Sequence, residues 1–151
     1  MKFLLQLIAV AASFLALASA GVAPATAQTS MTGPVTFEIY IDEVYEQLTG
    51  GSVSFSIAFR DPLTRTLNPA IRVHEGDAVA IKVVNRTAKT RSFGILSVPA
   101  ARSAPIRAGG SLVVRFKAPP RGNYIYNDPT QAKTDDTRTL FGDFIVSPKA
   151  G

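Results

Sequence analysis

Beyond residue 34 this chain is divided into short runs in which apolar and polar residues alternate one for one, and that period of two most constrains its fold. Val53-Ser54-Phe55-Ser56-Ile57-Ala58-Phe59-Arg60 is the clearest run. Phe37, Ile39 and Ile41 alternate with Glu38, Tyr40 and Asp42, and Val79, Ile81 and Val83 with Ala78, Ala80 and Lys82. Leu112, Val114 and Phe116 alternate with Ser111, Val113, Arg115 and Lys117. Successive side chains of a strand point to opposite faces, so each run describes a strand with one buried face. Turn residues separate the runs: Gly50-Gly51, Asp61-Pro62, Glu75-Gly76-Asp77, Gly109-Gly110 and Pro119-Pro120-Arg121-Gly122. Strands at spacings of roughly 8–12 residues, without a sustained helical period, predict an all-β sandwich or barrel. Asp42 to Leu48 reads two ways. Ile41, Val44, Tyr45 and Leu48 recur at helical spacing, which leaves a short helical turn open there.

The first 27 residues read as a secretory signal. Lys2 supplies a positive start, Phe3 to Leu17 is an apolar run broken only by Gln6 and Ser13, and small-residue cleavage sites follow at Ala18-Ser19-Ala20 and Ala25-Thr26-Ala27. The second site leaves Gln28 as the first mature residue. An uncleaved anchor is the competing reading, but the run falls short of the ~20 apolar residues that cross a bilayer. Cleavage leaves a Ser/Thr/Gly/Pro-rich lead-in over 28–34 and one domain over 35–148. The expectation is a protein that is soluble after signal cleavage and is periplasmic or secreted.

The chain has no cysteine. That excludes disulfides, thiolate metal ligands and cysteine nucleophiles together, and leaves stability to the packing of a sheet core. The net charge of +5 is mild and spread along the chain, without a Lys/Arg run. Nucleic-acid binding is therefore not expected; solubility or an acidic partner accounts for the charge. His74 is the only histidine and sits in the turn before Gly76, so no Ser-His-Asp arrangement is assembled. A surface role is its default, with metal capture beside Glu75 and Asp77 a minor alternative. Nothing promotes a carboxylate pair for glycoside hydrolysis. Asn85-Arg86-Thr87 matches a glycosylation sequon, relevant only in a eukaryotic secretory route.

Several motifs then fall in one order. Asn68-Pro69-Ala70-Ile71-Arg72-Val73-His74-Glu75-Gly76-Asp77 leads into Val79 to Asn85, a strand ending in Val-x-Asn, followed by Arg91-Ser92-Phe93. Ala104-Pro105-Ile106-Arg107-Ala108-Gly109-Gly110 precedes the next run. Gly122-Asn123-Tyr124-Ile125-Tyr126-Asn127-Asp128 and Phe141-Gly142-Asp143-Phe144-Ile145-Val146 close the chain. From about Asn68 to Val146 this resembles the cupredoxins, the blue-copper proteins. The resemblance implies a Greek-key β-sandwich or barrel of about seven to eight strands, with Asn85 tying the two ligand-bearing loops together.

The ligands of that family do not carry over. The resemblance puts Arg91 at the first His position, Asp128 at the Cys, Gln131 near the second His and Leu140 at the Met. A guanidinium cannot be deprotonated to bind a cation, and type 1 copper is defined by its short bond to a thiolate. Two fillings of the site stay open. Arg91 and Asp128 can pair across it, with Asn85 and Gln131 satisfying the remaining lone pairs, or both can face solvent while Phe93 and Leu140 fill the space. The expected function is a non-catalytic binding module of no enzymatic activity and no cofactor. It would dock a periplasmic or membrane-associated protein, or a small anion, through Arg86, Lys89, Arg102 and Arg107. The alternative is a metal-handling or electron-transfer accessory protein, holding copper or iron on the oxygen donors Asp128, Gln131, Asp135 and Asp136, or borrowing metal or ligands from a partner.

Overall fold

The computed structural model describes residues 33–130 and 140–149. The expected signal segment, residues 28–32 of the lead-in, and Gln131, Asp135 and Asp136 lie outside them. Among the described residues eight strands follow one another: β1 (Val35–Gln47), β2 (Val53–Arg60), β3 (Ile71–His74), β4 (Ala78–Asn85), β5 (Gly94–Ile95), β6 (Ser111–Lys117), β7 (Gly122–Asn127) and β8 (Phe141–Ser147). A single 3-10 turn, Pro99–Ala101, lies between β5 and β6. Each alternating run of the sequence is one of these strands.

The strands form two four-stranded sheets, ordered β2-β1-β4-β6 and β3-β8-β7-β5. Pairing is antiparallel except between β1 and β4 and between β3 and β8. Period-two burial puts Ile39 and Ile41 of β1, Phe59 of β2 and Val79, Ile81 and Val83 of β4 inside from the first sheet. Ile71, Val73, Tyr126, Phe144 and Val146 meet them from the second. Phe59, Phe93 and Tyr126 form an aromatic centre, with ring centroids 5.0–6.0 Å apart. Each such side chain fully buried contributes about 1.5–3 kcal/mol, so this core carries the stability that the missing disulfides cannot. The architecture is a cupredoxin-like β-sandwich, and its eight strands lie within the number expected.

Two local points bear on the site. At the turn between β3 and β4, Gly76 takes a φ of 79° and Asp77 accepts the amide of His74 through Oδ2 at 2.9 Å. This is the chemistry a tight turn selects. The helical option at 42–48 is wrong. β1 runs unbroken to Gln47, because β2 pairs with it from Tyr40↔Arg60 to Gln47↔Val53. Its earlier half pairs with β4 instead, and that pairing stops at Ile41↔Asn85 where β4 ends. Backbone hydrogen bonding to β2 overrides a weak 3.6-residue spacing.

Candidate functional site

The end of the sandwich where β4 and β7 finish carries a cluster of buried polar residues. Asn85, the last residue of β4, is fully buried. Its amide nitrogen lies 2.7, 2.9 and 3.1 Å from the carbonyl oxygens of Lys89, Ile106 and Arg107. Its Oδ1 accepts both the amide and the hydroxyl of Thr87. One side chain thereby fastens the loop after β4 to the loop before β6. An amide buried there also cannot carry a glycan, so the sequon is not a modification site in the folded protein.

Arg91 and Asp128 are each 2% exposed. They face one another, so the version in which both point to solvent does not occur; Phe93 and Leu140 are buried as well, in the core behind them. Arg91 Nη1 stands 4.0 Å from Asp128 Oδ2, and Arg91 Nε donates to Thr87 Oγ1 at 3.3 Å. The pair is therefore charge facing charge, without the bidentate hydrogen bonds that Arg and carboxylate often form. Asp128 Oδ1 accepts four bonds: the amide and hydroxyl of Ser92 at 3.1 and 2.7 Å, and those of Thr130 at 3.0 and 2.6 Å. Oδ2 is buried and accepts none. The result is one polar chain, Asn85–Thr87–Arg91 facing Asp128–Ser92/Thr130, that links three loops.

The pair and Asn85 stand at the end of the sandwich where they were expected, but Asn85 does not bond the pair directly, and Gln131 lies outside the described residues. Asn85 serves carbonyl oxygens and Thr87, and the hydroxyls of Ser92 and Thr130 serve Asp128. Asp128-Pro129-Thr130 carries the signal for one of them, an aspartate accepting from the residue two further on. Arg86, Lys89, Arg102 and Arg107 are exposed around this end. Arg86 also lies 5.1 Å over the Tyr40 ring and 3.6 Å from Asp42 Oδ1. His74 is at the opposite end, 3.6 Å from Asp77 Oδ2 and largely exposed.

A model of the multicopper oxidase family matches residues 64–151. Among solved structures, the chain is similar to the multicopper oxidase from Campylobacter jejuni, described as a metallo-oxidase, at 22% identity and a TM-score of 0.65 over 82% of this chain and 28% of that one. The blue copper oxidase from Nitrosomonas europaea is 27% identical with a TM-score of 0.58, over 77% and 39% of the two chains. Copper nitrite reductase from the same organism is 22% identical with a TM-score of 0.61, over 78% and 42%. The chain thus spans less than half the length of these structures. No curated protein matches it by sequence. Among the described residues no helix is long and apolar enough to cross a membrane.

These findings correct two expectations. The family is one of oxidases, so a chain without enzymatic affiliation is the wrong reading, and copper belongs to it, so a chain with no cofactor in its chemistry is wrong too. The Arg91–Asp128 position nevertheless does not fit copper. It offers a guanidinium, hydroxyls and one carboxylate, where copper takes thiolate and imidazole. A cation at the orphaned Oδ2 would stand against the Arg91 charge. Among the described residues no group of three His, Cys, Asp or Glu is placed to hold a metal ion. Matched by its family model over more than half its length, the chain belongs to the multicopper oxidase family.

Proposed function

We propose that this chain serves an exported copper-oxidase system as a metal-handling or electron-transfer accessory domain, working beside a second unit that brings the soft copper ligands. The observation that carries the reading is the Arg91–Asp128 contact: in a chain of the multicopper oxidase family, the two positions that the cupredoxin resemblance assigns to copper ligands hold a cation and its counter-charge. Copper chemistry then draws on imidazole and thiolate from outside the described residues. What this chain supplies is a fixed loop end, held by Asn85, Thr87 and Ser92 without a metal cross-link. The family gives a purely binding role no support and favours the metal-handling alternative. Export follows from the apolar leader, and a partner in the same compartment follows from the missing ligands.

The test is copper content and visible spectrum, measured on the exported protein alone and on its natively purified complex, together with oxidase turnover. Copper and turnover are expected in fractions that hold the second unit, and to leave with it on separation. One tightly held copper per isolated chain, lost in Asp128→Ala, would make this chain the metal holder and overturn the accessory reading.

A further inference from the structure

β1 stays in register with β4 as far as Ile41↔Asn85 and then continues alone with β2, so the β1–β2 hairpin reaches past the end of β4 on the side where the Arg91 loops begin. Its core-side face runs Ile39, Ile41, Glu43, Tyr45 along β1, with Ile57 opposite Glu43 and Phe55 opposite Tyr45. On this face burial ends at Ile57. Tyr45 is 64% and Phe55 47% exposed, with their rings 5.3 Å apart, and Val53 and Leu48 beside them are 63% and 50% exposed. The sandwich-facing side of one sheet is thus carried out into solvent. An apolar patch of this kind on a domain surface marks an association site.

Charge on the chain is segregated in a way that names the occupant. The hairpin from Asp42 to Phe59 holds Asp42, Glu43 and Glu46 and no Lys or Arg. Asp42 is already engaged by Arg60 and Arg86 at 3.4 and 3.6 Å, and Glu46 lies on the other face of β1, which leaves Glu43 as the carboxylate beside Tyr45 and Phe55. Between Asp77 and Asp128 there is no acidic residue at all, and exposed Lys89, Arg102 and Arg107 ring the loop end. An acidic, aromatic hairpin and a cationic loop end therefore sit side by side on one molecule. Two copies facing each other across a two-fold axis satisfy both surfaces twice.

We propose that this end is a self-association surface, in which the hairpin of each copy lays Tyr45 and Phe55 on the loop end of the other and Glu43, on the same face of β1, meets Arg102 and Arg107. The inference does not depend on copper or on the accessory reading.

The test is sedimentation velocity of the full exported protein over a range of concentration and salt. A dimer that weakens as salt rises is expected. Glu43→Arg alone, and Arg102→Glu with Arg107→Glu, should each weaken it by roughly tenfold or more, since like charges then face each other. Mixing the two variant proteins should restore a dimer: one half of the interface is then unchanged and the other has both signs reversed. Arg102 and Arg107 are exposed and Glu43 is only half-buried, so the variants are expected to melt as the parent does. A parent protein that stays monomeric to high concentration would overturn the proposal and leave the patch to a different protein. Variants that dimerise like the parent, or a mixture that stays monomeric, would also overturn it.

Discussion

Arg91 and Asp128 bring opposite charges into a site that water does not reach, and the energetics of buried pairs fix what their removal should do. Desolvation offsets much of the attraction, whereas one partner left alone is an uncompensated buried charge. Arg91→Met is therefore expected to cost on the order of 3–5 kcal/mol. Arg91→Met with Asp128→Asn should recover most of that, because an Asn oxygen still accepts from Ser92 and Thr130. Urea unfolding of the singles and the double gives the coupling; additive losses would mean that the 4.0 Å contact contributes nothing. Asn85→Ala belongs to the same scale. It strips a buried donor from three carbonyl oxygens and should cost more than about 2 kcal/mol by the same measurement. The pair was legible in the sequence because two familiar motifs each carried one foreign residue. The hydroxyls that hold it were not, since a serine beside an arginine announces no partner 36 residues away.

At the scale of elements, β7 and β8 show how a close approach is written into sequence. Gly142 of β8 lies opposite Tyr126 of β7, and a Cβ at 142 would land on the Tyr126 ring and hydroxyl. Tyr126 cannot retreat, being fully buried with its hydroxyl donating to the Pro69 carbonyl at 2.6 Å. Gly142→Ala is expected to lower stability by about 1–3 kcal/mol or more through overpacking. Gly33→Ala, where nothing lies within 4 Å, should change little. Thermal melts of both proteins decide it, and equal losses would sink the packing argument. Strand existence was readable wherever alternation coincided with burial, as in β2 and β4. It failed over 42–48 because the end of β1 leaves the core, so side chains there no longer alternate between inside and outside. Pairing to β2, a long-range fact, makes that segment a strand.

For the whole molecule, an all-β sandwich was legible because it needs only period-two runs and turns, while sheet order and parallel pairing emerge only when distant strands meet. The same long-range packing gives the domain a dependence on alkaline pH. Burial, and then the nearby Asp143 charge, push the Tyr126 hydroxyl well above the usual tyrosine range. The folded protein thus holds that proton more tightly than the unfolded chain does. Its contribution is complete below the unfolded value of about 10 and is lost as pH rises beyond it. Tyr45 is raised as well, by its hydrogen bond to Glu43 and that carboxylate's charge, so total stability alone cannot isolate Tyr126. The comparison that does so is the parent against Tyr126→Phe, unfolded by urea from pH 8 to 11.5. Below pH 9 the variant should be weaker by about 1 kcal/mol, the worth of the hydrogen bond to Pro69. Above pH 10 the parent should lose stability faster than the variant and the gap should narrow. Parallel curves would mean that Tyr126 ionises no differently in the folded protein, and that the aromatic centre of the core is open to water.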